Sequence, residues 1–419
     1  MATLNPEFPQ PLMDALEGPE DTEGLVVDFT EEMDSDVEEM PDGSAIVRMP
    51  ETKGPAEDED FYENLADEFD PHDLDKLALR YLELVDKDRE AREERDKQYE
   101  EGLRRTGLGH DAPGGANFQG ANKVVHPIMA EACVDFESRA IKELFPPDGP
   151  VRTNILGDAT EDKTEVAERK RDYMNWQLTE QIEEFRDEME QMLTQLPLGG
   201  SQYMKMWYDE QKRRPCAEFV PIDNVLLPFS AGSFYTAQRV TEIQDITTQE
   251  FERRMNIGLY RDVDFIRATM EPDESKAQKA NNKIEGKKSE DNVDGERRIF
   301  HIYLDLELED DARSDGELAP YILMIDELNS EVVGLYRNWE EGDETMTKLD
   351  WLVEFKFIPW RGAYAIGFPH LIGGLAAALT GSLRALLDTA HINNSATMLK
   401  LKGAKISGQS PQIEVTQVT

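Results

Sequence analysis

At Gly199-Gly200 the hydrophobic periodicity of the chain changes, and this switch constrains the fold more than any motif. Upstream, in ATEDKTEVAERKRDYMNWQLTEQIEEFRDEMEQMLTQLPLGG, Met174, Leu178, Ile182, Phe185, Met189, Met192 and Leu193 recur at three and four residues. That spacing predicts a helix of about forty residues. Downstream the period falls to two. YMKMWYDE and RRPCAEFVPIDNVLLP read as a hairpin bent at Pro221, and TAQRVTEIQDI as a further strand. RRIFHIYLDLELE, PYILMIDEL, EVVGLYRNW and WLVEFKFIPW give four more. Helices followed by consecutive strands predict an α+β chain with a mostly antiparallel sheet.

Two helices precede the long one. DLDKLALRYLELVDKDREAREERDKQYEEGL carries Leu77, Tyr81, Leu84 and Val85 at helical spacing before it turns to mixed charge, so it is expected to start packed and end in solvent. HPIMAEACVDFESRAIKELF has an apolar face of Ile128, Ala132, Phe136 and Leu144, with Pro127 tolerated in its first turn. It must stop at Pro146-Pro147, which lack N–H donors and drive the preceding residue out of the α region. Asp148-Gly149 then supplies a turn and Pro150 an extended exit, making a rigid corner. A short helix is expected at TTQEFERRMN. The stretch around residues 272–296, DESKAQKANNKIEGKKSEDNVDGE, shows no periodicity and is expected to be a mobile surface loop.

The charge is unevenly placed. The chain has 88 acidic and 45 basic side chains, for a net charge of -43. About 25 of the acidic residues fall in the first 75 positions, where Arg48 and Lys53 are the only basic ones. Residues 1–70 therefore read as an acidic, largely flexible arm, with short apolar clusters at Leu25–Val27 and Phe61–Tyr62 as anchoring points. Such a charge opposes general binding to phosphate backbones. No apolar run approaches the roughly 20 residues that span a bilayer, so no membrane partner is expected. Two cysteines, Cys133 and Cys216, fit a reducing compartment better than a disulfide framework.

Catalytic and cofactor patterns are missing from the sequence. The six histidines form no HExxH or HxH, the cysteines no CxxC, and there is no GxSxG elbow. GGANFQGANK spaces Gly115 and Gly120 like a phosphate-binding loop, but Ala121-Asn122 stand where Lys-Ser/Thr would hold phosphate and Mg²⁺. DPHDLD lacks the Gly and terminal Glu of an EF-hand. A non-enzymatic chain without metal or cofactor is the expectation.

The segment FPHLIGGLAAALTGSLRALLDTAHINNSATMLKLKG is nearly free of acid. Leu379, Leu383, Leu386 and Leu387 make a helical stripe, and Gly373, Gly374, Ala376, Ala377, Ala378 and Gly381 allow close approach of a neighbouring backbone. Subunit-contact candidates are Gly374, Ala378, Gly381 and Leu383. The basic cluster Lys400, Lys402 and Lys405 follows at once.

Taken in order, VVHPIMAEACVDFESRAIKELFPPDGPVRT, the long helix ending LPLGGSQYMKMWYDE, the arm FVPIDNVLLPFSAGSFYTAQRVT and the helix GGLAAALTGSLRALLDTAHINNSATMLKLKG resemble the portal, or head-to-tail connector, proteins of tailed bacteriophages. The likeness runs from about residue 75 to the end and rests on order and local wording. It implies a structural subunit of a ring, typically of twelve copies, at the capsid vertex of a virion assembled in the bacterial cytoplasm. Double-stranded DNA would pass through the ring, and terminase, capsid and scaffold proteins and a head-tail adaptor would dock on it. The implied organisation is a helical wing region at 71–198, a β-rich wing region at 199–371, a stem helix at 372–398 and the start of a clip at 399–419. The three lysines would then face the channel or an adaptor. A returning stem helix and crown, which the resemblance requires, are expected on a continuation of the chain or a separate polypeptide. The alternative expectation is an acidic scaffold or adaptor that binds protein partners and encloses no channel.

Overall fold

The computed structural model describes residues 61–108, 121–155, 157–209, 212–263, 265, 274–287, 295–308, 311, 314 and 317–393, together with the backbone of Asn394 and of two short strands near the N-terminus. The fold is α+β. Those two strands, β1 (Asp36–Glu39) and β2 (Ala45–Arg48), pair antiparallel. Next come helices α1 (Pro71–Arg105), α2 (Ile128–Leu144), α3 (Glu161–Trp176) and α4 (Phe185–Gly199). Strands β3 (Ser201–Asp209), β4 (Arg214–Val220), β5 (Val225–Leu226) and β6 (Arg239–Thr247) follow, then helices α5 (Thr248–Asn256) and α6 (Lys276–Glu285). Strands β7 (Glu296–Glu307), β8 (Leu318–Asp326), β9 (Glu331–Arg337) and β10 (Leu352–Lys356) lead to the last helix, α7 (Phe368–Asn394).

The strands form two larger antiparallel sheets, ordered β5-β6-β7-β8-β9 and β10-β3-β4. In the five-stranded sheet β7 and β8 are buried on both faces, which is why their sequences read as near-continuous apolar runs instead of alternating. One face carries Phe300, Ile302, Leu323 and Leu335 against α1 and the segment 61–67. The other carries Ile299, Tyr303, Met324 and Tyr336 against Phe251 of α5 and Ala277 of α6. A third cluster packs α2 and α4 on the three-stranded sheet through Ile141, Met192, Leu193, Met204 and Phe219. Met189 and Met192 of the sequence's methionine stripe are thus core packing, while Met174 is exposed.

A buried ionic network joins the two sheets. Lys205 on β3 donates to both carboxylate oxygens of Glu242 on β6 at 2.8 Å, and Tyr303 and Gln244 donate to the same carboxylate at 2.9 and 2.7 Å. Burial alone would raise the Glu242 carboxyl, but Lys205 and its other donors hold it down at about 2. Burial drives the neighbouring His301 imidazole down to about 3, helped by Lys205.

Four expectations are corrected. The arm ends earlier than residue 70: Phe61 packs edge-on against Trp339, and the Asn64 side chain donates to Val333 O and accepts from Leu335 N, extending the edge of β9. Second, α1 does not run out into solvent. Asp88 and Arg92, in its mixed-charge half, are buried, the first paired with Arg239 and the second donating to the carbonyls of Ile222, Val225 and Asp223. Third, the forty-residue helix is broken. A π-turn at Gln177–Gln181 ends in Ile182 with ψ 84, and α4 restarts at Phe185. Fourth, the presumed loop around 272–296 contains α6, closed by a capping box between Ser275 and Gln278 and a left-handed Gly286. Its apolar positions, Ala277, Ala280 and Ile284, follow helical spacing but are too few to stand out in a polar window.

The proline corner joins α2 to α3 and is locked by one side chain. Asn175 of α3 accepts from Val151 N at 2.8 Å and donates to Val151 O, while Gly149, at φ 92, leaves no room for a Cβ beside it.

Candidate subunit-contact surface

Helix α7 is mounted on a junction where backbones touch. A Cβ on Gly367 would lie 2.6 Å from Pro197 O, and one on Gly200, at φ 80, 2.5 Å from Ala365 O. Only glycine permits that approach. Arg95 of α1 closes the junction, donating to Gly199 O at 2.7 Å and Ala365 O at 3.2 Å and stacking over the Tyr364 ring at 4.5 Å. One turn into α7, Pro369 nests on Gly102 of α1, where a Cβ would sit 2.4 Å from its Cγ.

Beyond this mount, α7 has two unlike faces. The inner face holds the segment 122–126 by a polar ladder at four-residue spacing. Thr380 Oγ1 accepts from His126 N at 3.2 Å, Arg384 Nε donates to Val124 O at 2.8 Å, and Asp388 Oδ1 accepts from Asn122 N at 2.8 Å. These three side chains, which hold the segment in place, were not singled out from the sequence. The signal was present: three polar residues at i, i+4 and i+8 on an otherwise apolar helix must share a face and a partner.

Among the described residues the outer face has no partner. Leu375 and Leu386 are 64% and 70% exposed, and Leu371 and Ile392 are exposed as well. Of the predicted contact residues, Gly374, Ala378 and Gly381 lie on this face and are exposed, while Leu383 is half-buried towards the inner side. A Cβ on Gly374 or Gly381 would meet nothing within 4 Å. No described residue of the chain requires their smallness. The other predicted set, Lys400, Lys402 and Lys405, lies outside the described residues.

The helix Phe368–Asn393 also meets the length and composition of a bilayer span, with a mean hydropathy of 1.3 and only 17% of its most apolar window buried. This corrects the expectation that no stretch is long and apolar enough, since Gly and Ala dilute the pattern without adding charge. The ladder at Thr380, Arg384 and Asp388 ties one face of the helix to the body.

Burial pushes the Cys133 thiol up to about 12, away from the thiolate. Among the described residues no group of three His, Cys, Asp or Glu side chains is placed to hold a metal ion. A cavity of about 10 Å³ lined by Phe234, Val240, Tyr303 and Trp351 has room for one water molecule. Comparison with known proteins finds no family model that matches the chain. No curated protein matches it either.

Proposed function

We propose that the chain is a non-enzymatic ring subunit of portal type, whose copies pack side by side through the outer face of α7 around a channel for double-stranded DNA. The observation that carries this reading is an uncharged apolar face with gratuitously small residues on a rigidly mounted helix, in a chain of net charge -43. Acidic copies repel one another, and contact costs least where charge is absent. A side-by-side contact of identical subunits is heterologous and closes into a ring when its rotation divides a full turn. The net charge suits a channel along which DNA must slide without being held. Capsid and scaffold proteins, terminase and a head-tail adaptor would be the partners in a virion.

Sedimentation velocity and negative-stain microscopy of the purified chain test the proposal. Closed rings with a hole of duplex width are expected. A stable monomer overturns the proposal and favours the acidic adaptor, while flotation with lipid vesicles favours insertion of α7 into a bilayer.

A further inference from the structure

The seven α-helices of the described residues differ in net charge. Helices α1 to α4 are each net acidic, α5 and α7 are balanced, and α6 alone is net positive, with Lys276, Lys279 and Lys283 against Glu285. Lys287 follows directly, and all four lysines are exposed. Lys276, Lys279 and Lys283 recur at three and four residues and line one face of the helix, beside the strip of Ala277, Ala280 and Ile284 that packs in the core, and Lys287 follows its Gly286 cap. Some pairings exist already: Lys287 lies 2.5 Å from Glu285, and Lys276 feels Glu93 of α1.

The chain also holds the natural complement. Glu31, Glu32, Asp34, Asp36, Glu38 and Glu39 put six carboxylates into nine residues without one basic side chain. Reach is sufficient. The arm joins the body at Phe61, which packs in the cluster of Leu74, Tyr81 and Val85, and Glu93 beside Lys276 lies about 12 Å further along α1 than Val85. With β1 and β2 paired, the 12 residues from 49 to 60 extend at most about 40 Å. A tethered acidic segment also has a high effective concentration at a site within reach, which an untethered polyanion lacks.

We propose that the lysine face of α6 is the docking site of this chain's own acidic segment Glu31–Glu39. The inference is independent of ring formation and holds for a single copy. Docking masks the one basic helix face from other polyanions and returns part of the arm's charge to the body.

The test is made on the full chain with a zero-length carbodiimide cross-linker and peptide mapping, at about 0.1 M and about 1 M salt, where the screening length falls from about 10 Å to about 3 Å. Amide links from Lys276, Lys279, Lys283 or Lys287 to carboxylates in 31–39 are expected at low salt, falling about tenfold at high salt. Links only to Glu93 or Glu285, or links indifferent to salt, overturn the proposal. A second measurement follows acetylation of the four lysines in the full chain carrying E31Q, E32Q, D34N, D36N, E38Q and E39Q. A several-fold gain in their reactivity is expected, and unchanged reactivity overturns docking. Protection of these lysines in the unmodified chain by a DNA duplex also overturns it, because the face would then be open to nucleic acid.

Discussion

Strand β8 and helix α7 are comparably apolar, yet every residue of β8 after Leu318 is buried, whereas α7 shows solvent most of its leucines and alanines. Residues such as Leu323 and Leu375 are chemically the same. What differs is the number of layers: among the described residues β8 has a partner on each face, and α7 on one only. Polar groups follow the same division. Around the large sheet, charged side chains are paired in burial, as Arg337 is with Asp311, at 2.8 Å. On the outer face of α7 charge is simply left out. Apolar sequence in this chain thus has two fates, a filled interior and a face left exposed among the described residues.

The largest effect that separates these fates is the truncation of one leucine in each place. Leu323→Ala, at a fully buried position, is expected to lower subunit stability by about 2–5 kcal/mol in urea unfolding. Leu375→Ala is expected to change it by no more than about 0.5 kcal/mol and to weaken assembly instead. Equal losses of subunit stability would mean that the face is covered within the chain, and the comparison would fail.

The mount between the two regions comes next. Gly367→Ala places a methyl group within 2.7 Å of two carbonyl oxygens, which belong to backbone and cannot swing aside. A loss of about 1–3 kcal/mol is expected, with α7 displaced from Gly102. A neutral result in thermal unfolding would show that the junction yields and that α7 is not rigidly set.

Much of this division was legible in sequence. β9 lies within the apolar run that predicted it, and β7 and β8 overlap theirs, starting one and two residues earlier, because strands buried on two faces need no subtle pattern. The glycines at 374 and 381 drew notice in the sequence for their small size, and among the described residues a Cβ at either meets nothing within 4 Å. Other features depend on distant partners. Asp88 and Arg92 read as solvated charge until Arg239 and three carbonyls from residues 222–225 are brought beside them. The association of β10 with β3, across some 150 intervening residues, has no local signal either.

A smaller effect sharpens the buried side of the comparison through pH. His301 is held at about 3 against an ordinary value of 6.5, so the unfolded chain binds a proton between those limits that the folded chain refuses. Stability from this group is complete above pH 6.5 and falls as pH drops towards 3, by up to about 1.4 kcal/mol per unit. Asp223, raised by burial to about 6 from 3.8, has the opposite sign, since the folded state holds the extra proton between those values. The isolating measurement is therefore the difference between the unmodified chain and His301→Gln. The variant is expected to lose less stability between pH 6.5 and 5, and parallel pH profiles would remove His301 from the account.

The smallest effect on the subunit is also the one that best tests the outer face of α7. At Gly381 a Cβ finds open space, and leucine is a better helix former than glycine by up to about 0.8–1 kcal/mol. Gly381→Leu should then raise the stability of the isolated subunit slightly, an uncommon direction for a substitution of this size. In an assembled ring the same side chain would project into a neighbouring backbone, and overpacking of that kind costs about 1–3 kcal/mol at each interface. Because every subunit contributes one such interface, the cost recurs around the ring and should shift assembly to a higher protein concentration. Urea unfolding under monomeric conditions, paired with sedimentation velocity across a concentration series, reads the two effects separately. Opposite signs identify the small residues as a contact for another copy; a gain in subunit stability with assembly unchanged would place the contact on a different surface.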